Sequence, residues 1–456
     1  MLALHPIPGR PRITRNLLPT KTGLATRPGA TQIVAGDIAN AAPWGNRLVL
    51  EKQGRIALWD GNGEQDIAPA GRGLVVTNYQ AVIGEGQREE RAYVADCVNS
   101  LWFIARRAGV FGRYTIANKV KDADGLAYPV PVAYTVATWR GRLWTGSGNN
   151  RVQHCQFNDT EYWDPLWTPE FQGAEPGHVL ALEPMKDLLA VGLSNSNWQL
   201  TGDSQYNWLP DTIDDSGCTG PNSMASDEAA LYWISKVGIH RRGQAEPISD
   251  DIREAFAGAP YPGELAVDKR RRLLLALVGG RLFVMHLDKP GAFGEIHGQQ
   301  PRGLLQMTDY TGWYGANGAW VLGARDVPDR MIDGTASAFT SLFETWDDVP
   351  NPGEGGRALL TRTILVAAGS ARGSATYRAR VDDTGTFETD IALSTVAVER
   401  WSDQIAGLEG EAWPTAPVRH ELPAYLAGTR FQHSVSAPCH LELYTFTPKY
   451  KFGGDA

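Results

Sequence analysis

Leu48-Val49-Leu50-Glu51-Lys52-Gln53-Gly54-Arg55-Ile56-Ala57-Leu58-Trp59 is two short apolar runs on either side of a glycine turn. Runs of this length, broken by Gly, read as the strands of a hairpin. The arrangement returns along the chain. Asn99 separates Ala92-Tyr93-Val94 from Leu101-Trp102-Phe103-Ile104, and Asn149 separates Leu143-Trp144-Thr145 from Val152-Gln153-His154-Cys155. Asn195 lies between Leu189-Ala190-Val191 and Trp198-Gln199-Leu200, and Val237-Gly238 between Leu231-Tyr232-Trp233-Ile234 and Ile239-His240-Arg241. Gly279-Gly280 divides the run from Leu273 to Val278 from Leu282-Phe283-Val284-Met285, and a weaker seventh turn is placed near Asp326, after Trp320-Val321-Leu322. Successive turns are about 45, 50, 46, 43, 41 and 47 residues apart, within the spacing of propeller blades.

A single four-stranded blade cannot bury both of its faces, whereas blades packed radially bury them and leave only short edges. The expected fold is all-β, a six- or seven-bladed β-propeller whose layers are filled by aliphatic residues and the 15 Trp. The repeat is degenerate: Trp59-Asp60 is WD-like once, Gly279-Gly280 is a kelch-like pair once, and no sialidase box occurs. Val349-Pro350-Asn351-Pro352-Gly353-Glu354-Gly355-Gly356 has the composition of a linker. Beyond it, Ala375, Tyr377, Ala379 and Val381 alternate with Thr376, Arg378, Arg380 and Asp382, and Cys439-His440-Leu441-Glu442-Leu443-Tyr444 alternates likewise. An additional C-terminal antiparallel sheet or small β-sandwich domain is therefore expected. The divisions are an extended N-terminal arm over 1–30, the propeller over 31–349, the linker over 350–356 and the C-terminal β domain over 357–456. One short helix is expected, with Ser249 as N-cap, Asp250 and Asp251 in its first turn and Gly258 as its stop.

The 456 residues include 50 Gly and 28 Pro with 43% hydrophobic residues, which excludes disorder, coiled coil and collagen. No run reaches the roughly 18 apolar residues of a membrane helix, and Pro6, Pro8 and Pro11 interrupt the N-terminus where a signal peptide needs continuity. A soluble protein of cytoplasmic synthesis, with no membrane span, is the expectation. Cys97, Cys155, Cys218 and Cys439 are widely spaced and read as buried thiols. The net charge of −8 argues against a surface built to neutralise phosphates.

No Walker loop, Rossmann fingerprint, H-E-x-x-H, G-x-S-x-G or EF-hand loop is present, so no cofactor is expected. His154-Cys155 and Cys439-His440 place potential ligands side by side, but neighbours in a strand point to opposite faces. A buried Cys with a surface His is the expectation, and no metal site is assigned. The acid pairs Asp214-Asp215, Asp250-Asp251, Asp347-Asp348 and Asp382-Asp383 read as solvated or capping groups, and no catalytic residue is assigned. Tyr162-Trp163-Asp164-Pro165-Leu166-Trp167 offers Trp163 and Trp167 as candidate interface aromatics, a sugar platform or a protein anchor, unless they pack between blades. Arg10, Arg12, Arg15, Lys21 and Arg27 make a positive arm, and Lys269-Arg270-Arg271-Arg272 reads as a solvated hairpin tip.

Several phrases together carry a resemblance. Asn16-Leu17-Leu18-Pro19, then Gly23-Leu24 and Arg27-Pro28-Gly29, open the chain. Leu189-Ala190-Val191-Gly192, Asn197-Trp198-Gln199-Leu200-Thr201-Gly202-Asp203 and Gly217-Cys218-Thr219-Gly220-Pro221-Asn222-Ser223 follow. Then come Leu231-Tyr232-Trp233-Ile234-Ser235-Lys236-Val237-Gly238-Ile239 and Glu246-Pro247-Ile248-Ser249, with Lys449-Tyr450-Lys451-Phe452-Gly453 near the end. This order is similar to that of short-tailed bacteriophage tail-nozzle proteins, also called packaged-DNA stabilisation proteins, over most of the chain. The resemblance implies a structural, non-enzymatic virion protein of the tail, made and assembled in the host bacterial cytoplasm. It implies a homohexameric ring below the portal and the adaptor of the head-tail connector, in contact with tail fibre or needle proteins. Genomic double-stranded DNA would pass through its lumen during genome ejection without sequence-specific binding. The alternatives are a carbohydrate-binding or carbohydrate-cleaving phage propeller using Trp163, Trp167 and acidic turns, and a cellular scaffold propeller that binds peptides.

Overall fold

The computed structural model describes residues 11–19, 24–26, 29–84, 87–117, 120–121, 126–164, 166–172, 177–204, 206–227, 229–257, 263–323, 329–330, 336–337, 341–345, 358–369, 374–382, 385–392, 418–428, 431–437 and 441–452. They form an all-β protein of two compact units, residues 32–282 with 300–322, and residues 1–31 with 283–299 and 323–456. The division is not linear along the chain. Where the sequence suggested an arm, a propeller, a linker and a C-terminal domain in series, the first residues group with the last. The linker at 350–356 lies outside the described residues.

The first unit is a ring of seven blades. Blade 1 holds Asn40–Trp44, Arg47–Lys52, Arg55–Trp59 and Glu64–Pro69; blade 2 holds Val75–Gly84, Gln87–Ala95, Trp102–Arg107 and Val110–Thr115. Blade 3 holds Thr135–Trp139, Arg142–Gly146, Val152–Gln156 and Asp159–Trp163; blade 4 holds Val179–Pro184, Leu189–Leu193, Asn197–Thr201 and Leu209–Asp214. Blade 5 has three strands, Met224–Ser226, Leu231–Ile234 and Ile239–Arg241. Blade 6 begins with Glu264–Asp268 and Leu273–Val278, and the chain leaves this unit along Arg281–His286. Blade 7 holds Pro301–Gln306, Thr311–Gly315 and Gly318–Leu322, and its outer strand is Ala30–Val34 from the start of the chain. The first strand of each blade neighbours the first strand of the next, and that of blade 7 returns to that of blade 1. This closure fixes the blade number at seven.

The turn residues explain the hairpins. Gln53 and Gly54 both have positive φ, 51° and 73°, as a two-residue type I′ turn requires, and they join Lys52 to its partner Arg55. All six strong turn anchors of the sequence join the second and third strands of a blade. The weaker seventh, Asp326, lies outside the described residues; in blade 7 that turn is Ala316-Asn317.

The apolar runs are continuous because each blade buries both faces. In blade 1, Leu48 and Leu50 pack with Leu305, Tyr314 and Val321 of blade 7, while Val49 between them packs with Ala92, Val94 and Trp102 of blade 2. In blade 4, Leu189 and Val191 face Trp139 and Trp144 of blade 3, and Ala190 faces Met224 and Trp233 of blade 5. Period-two side-chain alternation thus serves two neighbours, not core and solvent.

Two carboxylates, Glu264 buried and Glu183 half-buried, cross the joints. Glu264 of blade 6 accepts hydrogen bonds from the Leu304 N–H of blade 7 (2.5 Å) and from Asn222 Nδ2 (3.3 Å). Glu183 of blade 4 accepts one from the Ser226 hydroxyl of blade 5 (2.6 Å). Burial pushes each carboxyl up to about 7.

The second unit is a small β-sandwich. One sheet runs Phe293–Ile296, Pro11–Arg15, Ser341–Thr345, Phe431–Ala437, Ser374–Val381, Gly385–Ala392; the other runs Leu17–Pro19, Leu24–Thr26, Leu441–Phe452, Ala358–Gly369, Val418–Gly428. Ala375, Tyr377, Ala379 and Val381 are buried as their alternation predicts, and Val435 and Phe431 beside them meet Leu360, Leu422 and Phe446 of the opposite sheet. A neutral hydrogen-bonded chain crosses this core from Thr363 Oγ1 to Tyr377 Oη (2.7 Å), His433 Nδ1 (2.9 Å) and, through His433 Nε2, Tyr450 Oη (2.9 Å). Burial holds His433 down at about 4.

Candidate functional site

The residues that carry the family resemblance are spent on architecture. Arg27 and Pro28 lie outside the described residues, and Gly29 is a buried acceptor of the Gly323 N–H (2.6 Å). Gly202, at φ +118°, leaves no room for a Cβ, which would sit 2.3 Å from the Asn207 carbonyl. Asp203 closes the same turn by accepting from Asn207 Nδ2 (2.7 Å), so the pair makes the tip of the outer hairpin of blade 4. Gly217 passes against the Ser194 backbone, and Cys218, buried beside Gly192 in the joint of blades 4 and 5, has its thiol pushed up to about 12. The Ser223 hydroxyl donates to the Gly220 carbonyl (2.6 Å) and Tyr232 is buried in the second strand of blade 5.

Blade 5 shows how the remaining motif residues work together. Its missing fourth strand is replaced by Pro247-Ile248-Ser249: the Ile248 N–H donates to the Ile239 carbonyl (2.7 Å), and the Ile239 N–H donates to Ser249 Oγ (2.9 Å). Gly238 is glycine because a Cβ there would lie 2.7 Å from Ser249 Oγ and 2.8 Å from the Pro247 ring. Ser235 accepts from the Val237 N–H (3.1 Å) and bonds His240 Nε2 (2.8 Å), fixing the hairpin. Ser249 therefore departs from its expected role. The helix it precedes is a 3₁₀ segment, Asp250–Ala255, and its hydroxyl makes no cap bond because it is committed to Ile239.

The two sequence-predicted aromatics separate. Trp163 is core, 1% exposed, with its indole N–H on the Thr160 carbonyl (2.9 Å). Trp167 is half-buried and stacks on His154 with ring centres 5.6 Å apart and an 11° interplanar angle. His154 is itself buried, which corrects the expectation of a surface His. Its Nδ1 bonds the Cys155 carbonyl (2.8 Å) and its Nε2 accepts from the Trp208 indole (2.9 Å), so the ring is a neutral link between blades 3 and 4. Burial holds it down at about 4. Both nitrogens are thus occupied, and no group of three His, Cys, Asp or Glu gathers for a metal among the described residues. Cys439-His440 lies outside the described residues.

Around this link is an aromatic rim that sequence reading missed. Phe157, Leu166, Tyr206 and Leu209 are 55–87% exposed, and the half-buried Trp208 completes the set. Beneath them Arg142, only 5% exposed, lies 5.3 Å from the Phe157 ring centre and 5.4 Å from that of Trp208. Desolvation lowers its guanidinium from the ordinary arginine value. The Gly202-Asp203 tip, held by Arg140 through the Gly202 carbonyl, brings Trp208 back onto blade 3, against Trp139, Trp144 and His154. The rim can offer stacking and apolar contact, as protein and sugar interfaces do. Two of the acid pairs are engaged elsewhere: Asp214 binds Asn197 (2.8 Å) and Ser216 (2.7 Å), and Asp250 pairs with Arg253 (2.8 Å), while Asp347, Asp348 and Asp383 lie outside the described residues.

No family model matches the chain, and the comparison with curated proteins finds no match. Among solved structures the chain is similar to the computationally designed Ika8 protein, at 12% identity and TM-score 0.40, over 69% of this chain and 97% of that one. It is also similar to a chain of the Mitotic Checkpoint Complex, at 12% and 0.43 over 67% and 96%, and to the AfRom2 CNH domain, at 10% and 0.39 over 65% and 99%. The propeller assignment stands on the closed ring of blades.

Proposed function

We propose that this chain is a non-enzymatic structural subunit of a short-tailed phage virion, one of about six forming the tail nozzle below the portal and adaptor. The observation that carries the reading is the ordered series of phrases from Leu189 to Ser249, similar to the nozzle family and composed of residues that build turns and blade joints. The negative charge of −8 supports a conduit, because each phosphate neutralised by Lys or Arg would add a salt-dependent grip on the genome. A cyclic ring needs two different complementary surfaces on each subunit, and the aromatic rim of blades 3 and 4 is suited to one of them. The adaptor and the tail fibre or needle proteins are the proposed neighbours, with double-stranded DNA passing unread. Mass photometry of the purified chain, alone and with the adaptor, tests the proposal. Assemblies of about six subunits are expected, with a six-fold ring at the tail in electron cryomicroscopy of particles.

The stacking of Trp167 on His154, with Tyr162 against Trp167, favours a second reading, a carbohydrate-binding propeller. A chain that stays monomeric in every mixture and binds host polysaccharide through Trp167 would displace the first reading.

A further inference from the structure

One cavity of about 360 Å³ lies where the turns between first and second strands of blades 6, 7 and 1 converge. It is large enough for a small organic ligand. The turn of blade 6, Lys269-Arg270-Arg271-Arg272, is the solvated tip its sequence suggests, with three of its four residues exposed, and Arg271 holds it in place. Asp268, 3% exposed, accepts both the Arg271 N–H (2.8 Å) and its guanidinium (2.7 Å), and Arg271 also donates to the Leu322 carbonyl (3.1 Å). That clamp leaves Lys269 and Arg270 on the cavity wall, and among the described residues neither forms an ion pair or a side-chain hydrogen bond.

The rest of the wall is organised around them. Of the acids, Asp268 is neutralised by Arg271, whereas Asp309 is held by the neutral Asn46 amide (2.6 Å) and keeps its charge. Gln306 accepts the Val267 N–H through Oε1 (2.8 Å), which leaves its amide N–H groups as donors. Tyr310, 47% exposed, adds an aromatic face. Lys269, whose charge also reaches Glu183, and Arg270 outnumber the one acid of the wall that no cation neutralises, Asp309, in a chain of net charge −8. A lysine point charge beside an arginine fork matches a dianionic phosphate better than a monoanion.

The geometry points to a binding site for a phosphate monoester, its phosphate between Lys269 and Arg270 and its organic body against Tyr310. The site belongs to a single chain and does not depend on the conduit reading. Calorimetric titration of the full chain with inorganic phosphate and with adenosine 5′-monophosphate separates free phosphate from an ester. The nucleotide is expected to bind at least tenfold more tightly than phosphate. Lys269→Gln with Arg270→Gln is expected to weaken both ligands at least tenfold with an unchanged melting temperature, since both residues are exposed. Tyr310→Ala is expected to weaken the nucleotide alone. No saturable binding of the nucleotide at millimolar concentration, or full affinity in the double variant, overturns the site. Equal affinity for phosphate and nucleotide, unmoved by Tyr310→Ala, overturns the place of the organic body.

Discussion

The propeller and the sandwich both bury polar side chains between packed sheets, but they do so with opposite chemistry. At two blade joints the group is a carboxyl: Glu183 has the Ser226 hydroxyl, and Glu264 the Leu304 N–H with the Asn222 amide. In the sandwich the group is the neutral chain Thr363, Tyr377, His433, Tyr450, in which each polar atom meets another. A buried acid with few donors favours its protonated form, whereas a buried imidazole bonded on both nitrogens favours its neutral form. The two devices therefore set opposite pH preferences in one polypeptide.

The sharpest test replaces the joint acids. A carboxyl whose folded value, about 7, exceeds the ordinary 4.5 contributes stability that is present below 4.5 and lost as pH rises through 7. Glu264→Gln removes the charge and keeps one accepting oxygen, for the shorter bond from the Leu304 N–H. It is expected to gain about 3 kcal/mol at pH 8 and nothing at pH 4 by denaturant unfolding. Glu183→Gln is expected to behave alike, and an equal gain at both pH values would break the comparison. In the sandwich the sign reverses. His433, held at about 4 against an ordinary 6.5, contributes stability that is present above 6.5 and lost as pH falls through 4, a loss of about 3 kcal/mol. His154 adds acid sensitivity to the propeller, so the sandwich loss is read from exchange protection of Tyr377 and Val435 amides.

A smaller effect is expected from Tyr377→Phe, which keeps the ring and strands Thr363 and His433 at a cost of about 2 kcal/mol in denaturant titration. Ser249→Ala removes the acceptor that stands in for a fourth strand in blade 5. It is expected to cost about 1 kcal/mol and to raise hydrogen exchange at the Ile239 amide. Trp167→Ala is expected to cost about 1 kcal/mol, because its ring is half open to solvent but stacks on His154, so loss of assembly or sugar binding is read under conditions where the variant stays folded.

Local chemistry made much of the ring legible. The anchors from Gly54 to Gly280 mark one structural turn in six successive blades, because a glycine or asparagine turn between apolar runs is a short-range signal. The seventh turn carries the same signature in Asn317-Gly318, with Gly318 at φ +110°, but it sits about ten residues before Asp326, where the spacing placed it. What depends on distance in sequence was not legible. Trp208 meets His154 across 54 residues, which buries a histidine that strand alternation alone would leave in water. Ser249 looked like a cap because its partner, Ile239, lies ten residues earlier and reaches it only after the chain turns back. Motif order conveyed a family likeness, but not that those residues are scaffold or that Trp208 and Phe157 flank Arg142.

The outer strand of blade 7 carries a cost in time. Gln32 donates to the Asn317 carbonyl across 285 residues, so the edge that completes the ring leaves the ribosome long before its partner exists. At roughly 5–20 residues per second, Ala30–Val34 waits on the order of a quarter minute to a minute with its ladder groups unmatched. Throughout that interval the half-built disc has an open seam at each end, and a second nascent copy could zip onto either one. Crowded translation of this chain should therefore yield interlocked dimers, and slower initiation should suppress them.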